Sequence, residues 1–260
     1  VAGCVSMGRG EMTYDNQVFP YTLVYDTFVH PAYQGKGIFK KLIILLENEC
    51  KKSGSKVSYI FPNNNAIRGW QHSGYTQVGL TKYKIRIIRP IKVLRYFNDI
   101  RKPFISDTSN LAEIKHLKPI SLPIIFKEDV FVPQWSSDYI KWRFLTFPVG
   151  HYWIYNNNGI FAIFRTGKRG NIRQSELLHI ATTEGSISHK QWKQVEHQLI
   201  KDTRPDIIAV ASSKDYPIYP FLKLYINVPD RSHFTYKYLS DSFSGSIFRM
   251  AKCGIDAHTY

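Results

Sequence analysis

The sequence predicts an α+β fold in which a mixed, mostly antiparallel sheet is flanked by helices. Runs rich in β-branched and aromatic residues recur along the chain, and Gly, Pro or Asn ends most of them. Two longer segments, 36–52 and 188–202, instead repeat apolar residues at helical spacing. With 260 residues, of which 43% are hydrophobic, the chain is long enough for one large domain or two ordinary ones.

The first 88 residues alternate strand-like and helix-like segments. The longest helical segment has an apolar face formed by Ile38, Leu42, Leu45 and Leu46. A Ser-Gly-Ser sequence at 53–55 ends it. In order, the predicted elements are a strand over 1–7, a turn over 8–10, a strand over 22–29, a helix over 36–52, a strand over 56–61, a short helix over 66–72 and one or two strands over 76–88.

After a mixed segment over 99–120 the order of elements repeats in outline. Asn158-Gly159 is a strong hairpin signal, and Ser188 has the position of a helix N-cap. Because the order repeats, we predict two domains, 1–98 and 99–260, although their residues are not alike. The predicted elements are a short helix over 138–145, strands over 151–155, 160–165 and 176–181, a helix over 188–202, a strand over 206–211, a short helix over 219–225 and strands over 233–238 and 246–250.

Charge and cysteine content restrict the function classes. The net charge of +15 favours anionic partners such as a phosphorylated cofactor, a polyanion or an acidic surface, and a solvated basic surface is the alternative. Three separated cysteines suggest neither a disulfide framework nor a metal site, so we expect a reducing, cytoplasmic setting and no metal. No apolar run approaches the length of a membrane span.

The most informative segment is Gln34-Gly35-Lys36-Gly37, between a predicted strand and a predicted helix. A helix start has free backbone N–H groups and the positive end of the helix dipole, which together bind phosphate. A P-loop pattern is absent, and Lys40 stands where the third glycine of a dinucleotide fingerprint would be. A plain turn between strand and helix is the remaining structural alternative.

The segment from Val29 to Ile38 resembles the acetyl-CoA loop of the GNAT acyltransferase superfamily. A second family motif, Asn-x-x-Ala-x-x-x-Tyr and then Gly-Phe, is similar to the run from Asn63 to Trp70 followed by Gly74-Tyr75. The resemblance covers about residues 1–88. It implies a GNAT-type sheet, with a first domain truncated at its N-terminus and a second GNAT-like domain. The matching junction of the second half, 181–189, has no Gln-Gly-x-Gly, which implies that this half does not bind CoA.

The resemblance implies acetyl-CoA, or another acyl-CoA, as the cofactor. The pyrophosphate would bind backbone N–H groups at the helix start, and an N–H near Phe28 or Val29 would polarise the thioester carbonyl. An asparagine, Asn63 or Asn65, would hydrogen-bond the pantetheine arm. The implied cofactor-binding residues are Phe28, Val29, Gln34, Gly35, Lys36, Gly37, Ile38, Phe39, Asn63 and Asn65.

The acid and base of the reaction are predicted from residue type and position. Asp26 lies on the strand beside the expected acyl site, where it is either the base or a structural ion-pair partner. His72 follows Trp70 by two residues and is either a catalytic group or a surface histidine. Many GNAT enzymes have a tyrosine at the position of Trp70, and tryptophan has no proton to give.

We therefore predict an N-acyltransferase in which a neutral primary amine attacks the thioester directly. The preferred acceptor is a small-molecule amine, and the oligomeric state stays open. A non-catalytic acyl-CoA-binding module is the first alternative, because Trp70 replaces tyrosine. A basic polyanion binder is the second. Nucleic acid ranks last as a partner, because the sequence has no platform of interleaved basic and aromatic residues.

Overall fold

The computed structural model describes residues 1–15, 17–80, 83–107, 130–134, 137–140, 144, 152–182, 186–211, 218–228, 233–241 and 250. Its strands are β1 (Gly3–Tyr14), β2 (Gln17–Val29), β3 (Val57–Ile60), β4 (Thr76–Leu80), β5 (Tyr83–Ile87), β6 (Ile105–Ser106), β7 (Val132–Gln134), β8 (Tyr152–Asn157), β9 (Ile160–Arg169), β10 (Ile172–Thr182), β11 (Ile207–Ala211), β12 (Ile226–Val228) and β13 (His233–Tyr238). Its α-helices are α1 (Ile38–Lys52), α2 (Ile67–His72), α3 (Pro90–Arg95), α4 (Ser137–Ile140) and α5 (His189–Thr203), and short 3-10 helices span Pro31–Tyr33, Phe97–Arg101 and Tyr219–Leu224.

The described strands form two mixed sheets with the same internal plan. The first has the order β4-β13-β3-β2-β1-β7 and the second β12-β5-β11-β10-β9-β6, with β8 also paired to β9. In the first sheet α1 joins the parallel strands β2 and β3, and in the second α5 joins the parallel strands β10 and β11. In each sheet the strand that precedes the helix also pairs antiparallel with a hairpin partner: β2 pairs with β1, and β10 pairs with β9.

Three strands pair in the sheet of the other half of the chain, and one of them, β7, pairs antiparallel with β1 at the edge of the first sheet. Strand β5 pairs antiparallel with β11 and β12 in the second sheet. Strand β13 pairs antiparallel with β3 and β4 in the first sheet. All three strands thus pair across the boundary predicted at residue 98, so hydrogen bonding does not divide the chain there. The division into domains 1–98 and 99–260 stays a prediction.

The turn predicted at 8–10 is wrong, because β1 continues through it to Tyr14. The two glycines serve packing instead of turning. A Cβ on Gly8 would lie 2.6 Å from Tyr25 Oη, and a Cβ on Gly10 would lie 2.7 Å from the Tyr21 ring. The chain reverses after Tyr14, where Asp15 has a φ of 46°. Glycine in a strand can therefore make room for a cross-strand aromatic ring.

The buried face of α1 also differs from the predicted one. Ile43, Leu46 and Cys50 are buried, together with Trp70 of α2, whereas Leu45 is 61% exposed. The buried positions follow one another at i, i+3 and i+7, which is itself a helical spacing. The error arose because the helix has more apolar residues than one face can bury.

Helix α5 packs on the second sheet through Trp192, Val195 and Leu199. Its predicted N-cap is confirmed: Ser188 Oγ accepts from Gln191 N at 3.2 Å, and Ser188 N donates to Gln191 Oε1 at 2.8 Å. This reciprocal pair occupies donors at the helix start.

A buried ion cluster lies on α5. Glu196, 1% exposed, accepts from Arg86 at 2.6 Å, from Lys193 at 2.8 Å and from Tyr225 Oη. Burial alone would raise the pKa of Glu196, but the hydrogen bonds from Lys193, Tyr225 and Arg86 outweigh it and hold that pKa below its ordinary value.

Several sequence predictions lie partly or wholly outside the described residues. The helix predicted over 138–145 is described as α4 only to Ile140. The strand predicted over 246–250 is described only at Met250, which bridges to Phe131. Every helix in the described ranges is too short or too polar to cross a lipid bilayer.

Candidate functional site

The glycine loop at the start of α1 presents an open row of backbone donors. Gly35 and Gly37 have φ values of 75° and 73°, and an added Cβ on either would meet nothing within 4 Å. Gly37 is the N-cap of α1 and gives no side-chain cap. Among the described residues, the backbone N–H groups from Gly35 to Lys40 have no intramolecular partner. This is the geometry of an anion site at a helix N-terminus.

The charges around this loop suit an anion. The first turn of α1 has no acidic residue, and Lys40 and Lys41 are exposed. The Nζ of Lys36 lies 5.3 Å from the centre of the Tyr33 ring, a cation–π distance. The loop is therefore positively polarised by the helix and by three nearby lysines.

Local hydrogen bonds fix the conformation of residues 29–34, which precede the glycine loop. His30 Nδ1 accepts from Ala32 N at 3.2 Å at the start of the 3-10 helix. Gln34 N donates to Pro31 O at 3.2 Å, and Gln34 Nε2 donates to Val29 O at 3.2 Å. The backbone donor of Gln34 is thus occupied, so the open row begins at Gly35.

The end of β2 has an open edge beside this loop. Pairing of β2 with β3 runs from Tyr21↔Val57 to Val24↔Ile60 and stops there, while pairing with β1 continues to Val29. His30 N donates to Ala2 O at 2.9 Å, on the β1 side. Since successive backbone groups alternate sides, the N–H of Val29 points away from β1, towards the gap that opens beyond β3. The exposed Phe28 precedes it.

Asp26 lies in a β-bulge at the start of this open edge. The register passes from Val5↔Thr27 to Met7↔Val24, so Tyr25 and Asp26 together oppose one residue of β1. Asp26 is exposed, and no ion pair in the described residues involves it. Bulges redirect side chains and are frequent next to active sites. The structural ion pair considered for Asp26 is therefore absent from the described part of the chain.

In the asparagine loop after β3, the side-chain oxygens of Asn63 and Asn64 already have hydrogen-bond partners within the protein. Asn63 Oδ1 accepts from the N–H groups of Asn65 and Ala66, each at 3.0 Å, and so starts α2. Asn64 Oδ1 lies 2.7 Å from Nε2 of His233 on β13, and His233 Nδ1 lies 2.9 Å from Gln77 Nε2. Sequence reasoning missed His233, because no local signal places β13 beside β3.

Trp70 is a core residue. It is fully buried, between Phe39 at 5.6 Å and Tyr75 at 4.7 Å between ring centres. Tyr75 shares a 2.9 Å hydrogen bond with Ser58, and burial raises the pKa of its hydroxyl. Trp70 therefore packs in the core between α1 and α2.

His72 is exposed in the last turn of α2. The Asn63 loop is at the other end of the same helix, about 8 Å away along its axis at 1.5 Å per residue. In the described residues no hydrogen bond or ion pair joins His72 to Asp26.

The second sheet has a register shift like that of β2, but its crossover helix α5 begins with a side-chain cap, which α1 lacks. Strand β10 also has a register shift, between Leu177 and His179, near where its pairing with β11 ends. However, Ser188 and Gln191 cap α5, as described above. Residues 183–185 of the intervening junction lie outside the described part. Of the two helices that join parallel strands, α1 is therefore the one with an uncapped N-terminus.

Comparison with known proteins agrees with this geometry. Residues 1–78 match the family model of an acetyltransferase (GNAT) domain. No curated protein matches the sequence. Similar solved structures are a GCN5-related N-acetyltransferase from Kribbella flavida (TM-score 0.56, 11% identity, covering 92% of this chain and 58% of that one), Eis1 from Mycobacterium abscessus (0.53, 12%, 92% and 61%) and a GCN5-related N-acetyltransferase from Anabaena variabilis (0.57, 12%, 91% and 59%).

At these identities the structural likeness concerns the fold, and the chain spans about three fifths of the length of each of these structures. The likeness confirms the predicted fold class, since mixed sheets flanked by helices match GNAT-type structures over most of the chain. The family match and the loop geometry concern the same segment. In residues 1–78 the family match and the loop geometry therefore both resemble a GNAT acetyltransferase domain.

Proposed function

We propose that this protein is an acyl-CoA-dependent N-acyltransferase that acetylates a primary amine, most simply on a small molecule. The observation that supports this best is the contrast between its two crossover helices. Helix α5 is closed by a Ser188–Gln191 capping pair, whereas α1 begins at Gly37 with open N–H groups beside the open edge of β2. An uncapped helix start is unfavourable unless a ligand or water satisfies its donors.

The residues present fit an acyl-CoA. The N–H groups of Gly35 to Phe39 would bind the pyrophosphate, and Lys36 would neutralise part of its charge. The pantetheine arm would lie along the open edge of β2 as an additional strand does, with the amide of Asn63 or Asn65 beside it. Gln34 Nε2 donates to Val29 O in the free protein. When the cofactor binds, this hydrogen bond would break and Val29 O would accept one from the pantetheine arm instead. The thioester supplies the activated acyl group.

The chain's own groups would then carry out the transfer. The N–H of Val29 would donate to the carbonyl oxygen of the thioester and stabilise the negative charge that develops there. We propose Asp26 as the base that accepts a proton from the amine, directly or through water, with His72 as the alternative. Trp70 cannot donate the proton that the departing thiolate needs, so the thiolate would take its proton from solvent while Asp26 holds the proton released by the amine.

Binding is tested by calorimetric titration of acetyl-CoA into the wild type and into Gly35→Glu and Gly37→Glu. A carboxylate at either position repels the pyrophosphate, so we expect both variants to lose binding by at least about 100-fold. The matched control is Gly54→Glu, since Gly54 has a φ of 77° at the other end of α1 and equally open surroundings. Absence of wild-type binding, or equal loss in all three variants, contradicts the proposal.

Catalysis is tested by thiol release from acetyl-CoA with a panel of primary amines. For Asp26→Asn we expect kcat to fall by about 100-fold or more with little change in acetyl-CoA affinity. A comparable fall for His72→Gln, with Asp26→Asn unaffected, would assign the base to α2 instead.

The second candidate is a non-catalytic acyl-CoA-binding module. It is favoured by the full burial of Trp70 at the position where many family members have tyrosine. Tight binding of acetyl-CoA without thiol release for any amine would support this candidate over the enzyme.

A further inference from the structure

A second group of cations converges on a cavity of about 380 Å³ where β10 begins. Three segments meet there: the start of α3, the turn between β9 and β10, and the end of α5. Five of its lining residues are cationic, and a glycine and an asparagine of the turn complete the lining. The five that define this basic cavity are Arg89, Lys92, Lys168, Arg173 and Arg204.

A single buried carboxylate organises one side of the basic cavity. Asp206 is fully buried, and it accepts from Lys92 Nζ at 2.7 Å and from the backbone N–H of Arg173 at 2.7 Å. Arg89 approaches its other oxygen at 3.5 Å, as an ion pair without hydrogen-bond geometry. Asp206 thus holds Arg89 and Lys92 near each other, although both keep substantial exposure at 48% and 38%.

The other cations are not neutralised in the same way. Lys168 and Arg204 are exposed, and no ion pair in the described residues involves either of them. Arg173 Nη1 donates to Thr203 O at 3.3 Å, which leaves most of its guanidinium donors available.

A second buried carboxylate, Asp99, accepts from the backbone N–H of Asn171 at 2.8 Å and pairs with Lys102 at 2.6 Å. The five positive charges of the lining still outnumber the nearby carboxylates, so they repel one another in a confined volume, and an anionic ligand would relieve that repulsion.

The lining restricts the class of anion. Within the described part of the chain the lining includes neither an aromatic nor an aliphatic side chain on which a nucleobase could stack. Its donors are guanidinium and ammonium groups, which match phosphate oxygens. The volume lies at the lower end of the range for small-ligand sites. These features favour a compact anion with several phosphates over a nucleotide or a nucleic acid.

We propose that the basic cavity is a binding site for a compact oligophosphate, of the size of pyrophosphate or tripolyphosphate. The site is separate from the glycine loop of α1 in sequence and in sheet, and the inference does not depend on the proposed acyl transfer.

The test is calorimetric titration of pyrophosphate and of tripolyphosphate into the whole chain. We expect binding that weakens by about tenfold in the double variant Lys168→Gln/Arg204→Gln, because two charge-assisted contacts are lost. Both residues are exposed, so the variant keeps the packing of the sheet. The charge-matched control is the double variant Lys51→Gln/Lys190→Gln, at exposed positions of α1 and α5 outside the lining, which we expect to bind like the wild type.

Three results would overturn the proposal. The first is no measurable binding of either phosphate at about 1 mM. The second is loss of phosphate binding in Gly37→Glu and not in the double variant, which would place the anion at the glycine loop. The third is tighter binding of duplex DNA than of tripolyphosphate with the same dependence on Lys168 and Arg204, which would identify a polynucleotide ligand.

Discussion

Comparison of Gly37→Ala with Gly54→Ala distinguishes the effect of backbone strain on stability from its effect on acetyl-CoA binding. Gly37 and Gly54 stand at the two ends of α1, with φ values of 73° and 77°. An added Cβ has no neighbour within 4 Å at either position. Gly37→Ala and Gly54→Ala therefore introduce the same strain without a steric clash, and only the first lies in the proposed site.

The expected loss of stability follows from the left-handed backbone. Alanine in this conformation costs about 1 kcal/mol more than glycine, so each variant should unfold at a temperature about 3 °C below that of the wild type. Relief of the strain at Gly37 would turn φ towards negative values and redirect the N–H groups that follow. We therefore expect acetyl-CoA to bind Gly37→Ala about tenfold more weakly and Gly54→Ala with wild-type affinity.

Thermal unfolding by circular dichroism measures the first effect, and calorimetric titration of acetyl-CoA the second. The reasoning is refuted if both variants lose the same stability and also bind acetyl-CoA equally well. Equal binding would mean that the geometry of the glycine loop does not select the ligand.

Two further predictions concern stability. Glu196→Gln should lower the free energy of unfolding at pH 7 by about 2 kcal/mol, because the buried carboxylate that accepts from Arg86, Lys193 and Tyr225 is lost, although Arg86 and Lys193 are partly exposed and keep some hydration. The folded pKa of Glu196 lies below the ordinary 4.5, so its contribution to stability is present above pH 4.5 and is lost as the pH falls through the folded pKa. Gln has no carboxylate to protonate. Urea denaturation at decreasing pH should therefore show a smaller loss of stability for the variant than for the wild type. Gly10→Ala places a Cβ 2.7 Å from the Tyr21 ring and should cost about 1–3 kcal/mol in the same assay; an unchanged urea midpoint would contradict this packing.

Local signals in the sequence predicted most elements well. Helix α1, the hairpin of β8 and β9, and the Ser188 cap of α5 all follow from nearby residue types. The sequence also correctly predicts the glycine loop as a junction between a strand and a helix. In the structure both of its glycines have positive φ at the helix start, a conformation that glycine adopts readily. In each case the signal lies within a few residues of the feature.

Other features depend on residues far apart in the chain, and local patterns do not contain them. Gly8 and Gly10 resemble turn residues until Tyr21 and Tyr25 are seen to lie over them. The position of His233 beside Asn64 requires β13 to join the first sheet. The bulge at Asp26 and the direction of the Val29 N–H likewise depend on how β1 and β3 pair with β2, which periodicity alone does not predict.

The exchange of β5 and β13 has a consequence for how the chain is made. Thr235 of β13 bonds to Ile60 across 175 positions, so the first sheet has a very high contact order at its centre. During synthesis β3 leaves the ribosome long before its neighbour exists, and its unpaired edge must stay free of other strands in the meantime. A fragment that ends near residue 98 would have the glycine loop but would lack the strand that joins β4 to β3. Acetyl-CoA binding should therefore be measured on the whole chain, since the glycine loop and the strand β13 that completes its sheet lie about 200 residues apart in the sequence.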